Sequence, residues 1–211
     1  MGIGKVIPPI LRRAVRPAVF LDRDGVLNPT VLNPATGRME SPLTPHDFRL
    51  FDDVVPALLL LQKAGYPLIL VSNQPNYALG KSSYQTLRGI QQKLVTQLDA
   101  AGIRFTRFCY CLHHPNGLTP GYSGACKCRK PSPGFLLGAR DDFGLTLPHS
   151  WMIGDQPTDT QCGHAAGVHT IRIAPPDSRT RPSLQVSDPC ADYVVNHLAE
   201  AAAIILSQPR R

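Results

Sequence analysis

Short apolar runs alternate along this chain with longer stretches in which apolar residues recur at helical spacing. The run PLILVS at 67–72 has the length and composition of a buried strand, and the stretch 54–64 repeats apolar residues three and four positions apart before Gly65, a residue type that often ends helices. Strands that alternate with helices favour a Rossmann-like α/β fold, a parallel sheet with helices on both faces. The pattern predicts strands at 18–21, 67–72, 105–111, 151–153, 169–173 and 193–195, and helices at 54–64, 82–101, 133–143, 158–166 and 198–206.

The first predicted strand begins at residue 18, and 211 residues suit one α/β domain. We therefore predict a loose leader over 1–17 and a single domain over 18–211. Between the first strand and the first helix, residues 28–50 contain four prolines and no regular pattern. This segment is predicted to be a long loop, and loops of that length usually serve a function.

Polar residues follow several predicted strands at the point where each strand ends. Asp22 and Asp24 come directly after the first strand, Ser72 and Asn73 end the second, and Asp155 follows the fourth. Ligands of parallel α/β sheets bind at the carboxyl ends of the strands, so these side chains should meet at one edge. Carboxylates that converge repel one another unless a cation lies between them, and hard oxygen ligands suit Mg²⁺.

The segments FLDRDGVLN (20–28), LVSNQ (70–74), CKCRKP (126–131) and MIGDQPTD (152–159) occur in the order of four motifs. In this the chain resembles the haloacid dehalogenase superfamily of phosphatases from residue 18 to about 173. The resemblance implies that Asp22 is the nucleophile that forms an aspartyl-phosphate, and that Asp24 is first the general acid and then the base. It also implies that Ser72 and Lys130 hold the phosphoryl oxygens, and that Asp155 binds Mg²⁺ with Asp22 and the backbone carbonyl of Asp24.

Two further residues of these motifs, Asp159 and Gly25, have expected roles that concern the chain around them. Asp159 either orients the groups around the magnesium site or is an acidic residue favourably placed in the first turn of a helix, and we give the two interpretations equal weight. Gly25 is expected to let the chain turn beneath the phosphate.

The second group of candidate ligands is CYCLHHP (109–115) followed by CKC (126–128), which contains the ligand types of tetrahedral zinc. Cys109 and Cys111 would lie on the same face of a strand, so spacing alone leaves both open. The chain resembles the heptose-bisphosphate phosphatase branch, which carries Cys-x-His-His-Pro and then Cys-x-Cys-Arg-Lys-Pro. That resemblance implies a closed, structural zinc site in the loop 109–130, with the ligands Cys111, His113, Cys126 and Cys128.

Histidinol-phosphate phosphatases share nearly all of these motifs, but they tend to have a shorter loop than 114–125 between the two ligand pairs. The resemblance therefore implies a small phosphorylated sugar as substrate, a heptose 1,7-bisphosphate that loses its 7-phosphate in heptose biosynthesis. Histidinol phosphate or another small sugar phosphate is the alternative. Arg129 is expected either to recognise substrate or merely to cover the zinc loop. The full set of implied substrate contacts is Asn28, Asn73, Gln74, Arg129 and Gln156.

The sequence departs from the family pattern at positions near the substrate. Residues 73–80 read NQPNYALG where the family usually has Asn-Gln-Ser-Gly-Ile-Ala-Arg-Gly, and Gln156 stands where the family often has lysine. The loop over 29–48 also looks longer than usual. These changes touch substrate contacts and spare the groups that transfer the phosphoryl group.

Charge and hydropathy limit the kinds of binding partner and cellular location that we expect for this protein. The net charge is +7, but the basic residues are scattered, so nucleic acid is not expected and a nucleic-acid 3′-end phosphatase is a weaker alternative. No apolar run reaches the about 20 residues of a membrane span, and the N-terminal segment is too short and broken for a secretory signal. We expect a monomeric cytoplasmic enzyme. A catalytically inactive binding module is disfavoured because every catalytic position is filled.

Overall fold

The computed structural model describes residues 16–174 and 188–209, and a parallel sheet of six strands lies at its centre. The strands of this sheet and of a separate two-stranded hairpin (β2 and β3) are, in chain order, β1 (Val19–Leu21), β2 (Val31–Asn33), β3 (Arg38–Glu40), β4 (Leu68–Asn73), β5 (Arg107–Cys111), β6 (Trp151–Gly154), β7 (His169–Ile173) and β8 (Tyr193–Val195). The sheet order is β5-β4-β1-β6-β7-β8, and every neighbouring pair in it is parallel. The predicted parallel sheet is confirmed.

Helices cover both faces of this sheet because successive side chains of a strand point to opposite faces. In β1, Val19 and Leu21 belong to one buried cluster, whereas Phe20 belongs to the other. The helices are α1 (Val54–Lys63), α2 (Tyr84–Ala100), α3 (Gly134–Phe143), α4 (Pro157–Ala166) and α5 (Leu198–Ser207). The first cluster includes residues of α1, α2 and α5, and the second includes residues of α3 and α4.

The prediction that residues 28–50 form a loop is wrong in one respect, because this segment contains an antiparallel hairpin of β2 and β3. Each strand has only three residues, and Leu32 is 62% exposed, so no buried alternating pattern marks them in the sequence. The turn is set locally: Asn33 accepts a hydrogen bond from the backbone N–H of Ala35, and Gly37 has a φ of +64°. Between β1 and α1 the chain thus forms a small hairpin and loops, with no large cap domain.

The five predicted helices are present, with ends that differ by one or two residues. The second begins at Tyr84 because the Ser83 hydroxyl caps it, accepting a hydrogen bond from the backbone N–H of Thr86. A short 3₁₀ helix, Leu147–His149, was not predicted. Most of the predicted leader over 1–17 lies outside the described residues. Within the part of the chain that the structure describes, no helix is both long enough and apolar enough to cross a membrane.

Candidate active site

The polar side chains that follow the strands do converge at the carboxyl edge of the sheet. Asp22 and Asp24 leave β1 at its end, and the backbone N–H of Asp22 donates to the carbonyl of Ile153 in β6. Lys130 reaches the same place from the segment before α3 and donates to the carbonyl of Val71 in β4 over 2.7 Å. Asp22, Asp24 and Lys130 are each at most 8% exposed, so this edge of the sheet holds a buried, charged cluster.

The ammonium group of Lys130 joins two carboxylates of this cluster. Its Nζ atom lies 2.9 Å from Oδ1 of Asp22 and 2.6 Å from Oδ1 of Asp159. Burial alone would lower the pKa of Lys130, but the charges of Asp159 and Asp22 outweigh it and raise the pKa above its ordinary value. Lys130 is therefore a fixed positive charge at the centre of the site.

Three carboxylates lie close together at this edge, and two of them pair with the ammonium group. One oxygen each of Asp22, Asp155 and Asp159 lies within 4.8 Å of the others. Burial raises the pKa of Asp22 to about 6; Lys130 opposes this shift, and the charges of Asp159 and Asp24 add to it. A cluster of buried oxygen donors with excess negative charge has the chemistry that a small divalent cation such as Mg²⁺ requires.

Gly25 is the residue that lets Asp155 approach the chain after β1. Its φ is +90°, and a Cβ atom placed there would lie 2.3 Å from Oδ2 of Asp155. Any side chain at this position would displace that carboxylate, so both the backbone angle and the close approach require glycine.

Asp24 is held differently from Asp22, in a cradle of hydrogen-bond donors that we call the Asp24 cradle: Arg23, Asn28, Ser41 and Gln74. Oδ1 accepts from Arg23 Nε and Nη2 (3.1 and 3.0 Å) and from Asn28 Nδ2 (2.9 Å). Oδ2 accepts from Gln74 Nε2 (2.7 Å), Ser41 Oγ (2.8 Å) and Arg23 Nη2 (3.0 Å). Burial would raise the pKa of Asp24, but the Arg23 charge and these hydrogen bonds lower it below its ordinary value.

Arg23 and Ser41 are members of this cradle that the sequence analysis did not identify. Arg23 is 1% exposed, and its guanidinium group also lies over the ring of Tyr110, 5.9 Å from the ring centre. It stands between two identified aspartates, so its position was a usable signal. Ser41 had no such signal, because it lies 17 residues from Asp24 in the loop whose hairpin was missed.

The amide side chains predicted to contact substrate also make contacts within the protein. Asn73 holds the backbone of Lys130 at both ends: its Oδ1 accepts from the Lys130 N–H, and its Nδ2 donates to the Lys130 carbonyl, both over 3.1 Å. Asn28 and Gln74 donate to Asp24, as described above. Gln74 Nε2 also donates to Ser72 Oγ over 3.0 Å.

At the start of α4, Gln156 and Asp159 form a capping box that connects to the carboxylate cluster. Oδ2 of Asp159 accepts from the backbone N–H of Gln156 over 2.9 Å, while its Oδ1 pairs with Lys130. The side chain of Gln156 donates to Oδ2 of Asp155 over 2.7 Å. Asp159 therefore lies in the first turn of α4 and also contacts Lys130 in the charged cluster.

The second candidate site is the group Cys111, His113, Cys126 and Cys128, whose ligand atoms all lie within 4.8 Å of one another. Three sulfur pairs are separated by 3.2 to 3.6 Å, and Nδ1 of His113 lies 3.6 Å from the Cys128 sulfur and 3.9 Å from the Cys111 sulfur. Cys109 is buried and outside the group. Four soft or borderline ligands that face one point suit a tetrahedral zinc ion.

Arg129 connects this cysteine–histidine group to the active site. It lies between Cys128 and Lys130, and its Nη1 donates to the carbonyl of His113 over 3.2 Å. The short segment 128–130 therefore joins a candidate zinc ligand, a residue on the zinc loop and the central ammonium group.

Comparison with known proteins shows which family this chain belongs to. D-glycero-β-D-manno-heptose-1,7-bisphosphate 7-phosphatase of Vibrio cholerae is 38% identical over 155 residues, which are 74% of this chain and 79% of that protein. Proteins of the same description from Salmonella typhi and Escherichia coli K12 are each 33% identical over 195 residues, covering 92% of this chain and 97% and 96% of theirs. The chain belongs to the heptose-1,7-bisphosphate 7-phosphatase family.

A HAD-like family model and solved structures of the same fold also match this chain. The HAD-hydrolase-like model matches residues 127–201. A HAD-like phosphatase from Mesorhizobium loti superposes with a TM-score of 0.73 at 26% identity, covering 100% of this chain and 94% of that one. D,D-heptose 1,7-bisphosphate phosphatase from B. bronchiseptica, whose structure is a complex with magnesium and phosphate, has the same fold at 24% identity: the TM-score is 0.73 and coverage is 92% and 99%.

Proposed function

We propose that this protein is a Mg²⁺-dependent phosphatase that removes the 7-phosphate of D-glycero-D-manno-heptose 1,7-bisphosphate, in the biosynthesis of nucleotide-activated heptose. Family membership at 33% identity over 92% of the chain supports the substrate. The observation that carries the reaction is the position of Lys130, which pairs with both Asp22 and Asp159 inside a buried cluster of carboxylates.

In the first step, Asp22 acts as the nucleophile on phosphorus. Asp22 follows β1 directly, and burial beside other carboxylates leaves its oxygen poorly solvated. The bond between an Asp22 oxygen and phosphorus forms while the bond to the sugar oxygen breaks, and Asp24 gives a proton to that oxygen. Lys130 and the Ser72 hydroxyl bind the transferring phosphoryl oxygens and stabilise their charge.

In the second step, Asp24 acts as a base. It takes a proton from the water that attacks the aspartyl-phosphate, so that phosphate leaves and Asp22 is free again. The Asp24 cradle holds the carboxyl group in one orientation for both proton transfers.

The residues that would hold Mg²⁺ are Asp22, Asp155 and the backbone carbonyl of Asp24, with Asp159 supporting them from the Lys130 pair. The ion would neutralise the excess charge of the carboxylates and of the incoming phosphate. Gln156 keeps Asp155 oriented by its 2.7 Å hydrogen bond.

For the predicted substrate contacts we propose two kinds of role. Asn28, Asn73 and Gln74 border the site and act mainly by holding Asp24 and Lys130 in place, because their amide groups already make those hydrogen bonds. Arg129 contacts the part of the sugar bisphosphate that does not react, where its planar fork binds phosphate or hydroxyl oxygens. Gln156 is the N-cap of α4 and donates to Asp155, so it acts beside the proposed magnesium site.

We further propose that Cys111, His113, Cys126 and Cys128 hold a structural zinc ion. The four protein ligands leave no open position for substrate. The ion would fix the loop 109–130 and, through residues 128–130, the placement of Arg129 and Lys130.

The test is a phosphate-release assay on purified protein with Mg²⁺. The panel contains heptose 1,7-bisphosphate, histidinol phosphate, a simple sugar monophosphate and an oligonucleotide with a 3′-phosphate. The heptose bisphosphate should have the highest kcat/KM, and Asp22→Asn should abolish its turnover while the circular dichroism spectrum is unchanged. Faster turnover of histidinol phosphate would overturn the substrate assignment, and substantial activity of Asp22→Asn would overturn the mechanism.

A further inference from the structure

The hairpin of β2 and β3 brings one residue into the Asp24 cradle from outside the four motifs. The hydroxyl of Ser41 lies 2.8 Å from Oδ2 of Asp24, and Ser41 is only 7% exposed. Ser41 comes immediately after Glu40, the last residue of β3. The contact therefore spans 17 residues and depends on how the hairpin folds back over β1.

The position of Ser41 is fixed by the residue before it. Glu40 pairs with Val31 across the hairpin, and its carboxylate accepts hydrogen bonds from Asn33 (3.2 Å), Thr36 (2.8 Å) and Lys81 (3.3 Å). Lys81 lies in the segment between β4 and α2, so Glu40 ties the hairpin to that segment. A residue next to such an anchor has little freedom to leave Asp24.

Ser41 differs chemically from the other members of the cradle. The Arg23 guanidinium and the amide NH₂ groups of Asn28 and Gln74 can only donate hydrogen bonds to Asp24. A serine hydroxyl can donate, and it can also rotate and accept. Ser41 is also the only member of the cradle that lies outside the motif segments 20–28 and 70–74.

We propose that Ser41 is a positioning residue for Asp24: its hydroxyl, 2.8 Å from Oδ2, fixes the orientation of the Asp24 carboxyl group for proton transfer. The inference rests on the proposed function, in which Asp24 first gives a proton to the sugar oxygen and later takes one from water. In the first step the O–H bond of Asp24 breaks and the sugar oxygen gains the proton, while the Ser41 hydroxyl keeps the carboxyl group oriented. In the second step an O–H bond of the attacking water breaks and Asp24 gains the proton.

A purely structural role for Ser41 makes a different prediction. If the hydroxyl only satisfies a buried carboxylate, its loss should affect all substrates equally through the stability of the site. If it positions the proton donor, its loss should matter only when the leaving group needs a proton. A sugar alkoxide needs one, whereas p-nitrophenolate is stable as an anion.

The experiment compares Ser41→Ala and Ser41→Thr with the unsubstituted chain on two esters, a sugar phosphate and p-nitrophenyl phosphate. The quantity measured is kcat/KM, because it reports the steps up to phosphoryl transfer to Asp22 and not the later attack of water. Ser41→Ala should lose about tenfold or more on the sugar phosphate, on the scale of general acid catalysis, and less than about threefold on p-nitrophenyl phosphate. Ser41→Thr keeps a hydroxyl and should restore most of the loss.

Thr44→Ala is the matched control, because Thr44 is a hydroxyl residue of the same loop that bonds Asp47 instead of Asp24. It should leave both rates unchanged, and activity on p-nitrophenyl phosphate shows that each variant is folded. Equal losses on the two esters, or no loss with Ser41→Ala, would overturn the role of Ser41 while the phosphatase activity stands. Failure of the unsubstituted chain to hydrolyse either ester would overturn the proposed function, and this inference with it.

Discussion

Lys130 and Asp159 form the shortest charged contact of the buried cluster, with 2.6 Å between Nζ and Oδ1. Asp159 also caps α4 through its other oxygen. One carboxylate thus links the start of a helix to the buried ammonium group, so the position of Lys130 depends on α4 as well as on its own segment.

Replacing Lys130 by methionine should destabilise the protein by about 3–5 kcal/mol, because it leaves the buried carboxylates of Asp22 and Asp159 without their cation. Urea unfolding measures this loss. Lys81→Met is the control: it removes an ion pair with Glu40 in which the lysine side chain is 40% exposed, and it should cost less than about 1 kcal/mol. Similar losses in the two variants would contradict the central role of the buried pair.

Asp22→Asn should stabilise the protein in magnesium-free buffer, although it removes activity. The pKa of Asp22 is about 6, above its ordinary 3.8, so ionising this carboxyl at neutral pH destabilises the folded state. The contribution of Asp22 to stability therefore falls as pH rises from about 4 to 6. Because asparagine does not ionise, Asp22→Asn should be more stable than the unsubstituted chain by up to about 3 kcal/mol above pH 6. The difference should vanish towards pH 4.

Added Mg²⁺ provides the second arm of that measurement. It should raise the thermal midpoint of the unsubstituted chain, since binding to the folded state stabilises it, and should have little effect on Asp22→Asn. An unchanged midpoint in both proteins, or lower stability of Asp22→Asn at neutral pH, would contradict the carboxylate cluster as a cation site.

Cys126→Ser should reduce the zinc content from about one ion per chain to nearly none, because a tetrahedral site needs all four ligands. Without the zinc ion the free energy of unfolding should fall by a few kcal/mol. This should lower the thermal midpoint by about 10 °C, because each kcal/mol shifts the midpoint by about 2–4 °C in a chain of this size. Cys190→Ser is the control, since Cys190 is half-buried and outside the ligand group. Purified protein without zinc but with an ordered 109–130 loop would argue against the site.

Arg129→Lys should lower kcat/KM for the heptose bisphosphate by about tenfold, because lysine cannot bind oxygens with a planar fork. Its effect on a small phosphate ester should be within about threefold. Arg129 also donates to the carbonyl of His113. If both substrates lost activity together, Arg129 would act by supporting the zinc loop and not by recognising the sugar bisphosphate.

Gly25→Ala should abolish turnover and cost more than about 3 kcal/mol of stability, because its Cβ would lie 2.3 Å from Oδ2 of Asp155 in a backbone with φ +90°. Gly37→Ala separates the two causes. Gly37 has a φ of +64°, but a Cβ atom there would meet nothing within 4 Å beyond its chain neighbours, so this variant should lose only about 1 kcal/mol from backbone strain. Comparable effects at both positions would show that crowding against Asp155 is unimportant.

The arrangement of the fold could be predicted from the sequence because it depends on local periodicity. Apolar runs of strand length, separated by helical repeats that end at glycine, located every strand of the six-stranded sheet. The aspartates after β1 and β6 could be placed at one edge, since parallel strands end on the same side. The hairpin could not be predicted, because its strands are short and exposed and depend on the side-chain contacts of Asn33 and Glu40.

The sequence by itself determined the order of the motifs, the sheet and the residues that reach its carboxyl edge, because these follow from spacing along one segment at a time. Only the tertiary structure decided how those residues are held. Asn73 clamps the backbone of Lys130 from 57 residues away, and Ser41 meets Asp24 from the hairpin. Such contacts join segments whose separation in the chain carries no periodic signal, so hydrogen-bond geometry in the folded molecule alone selects them.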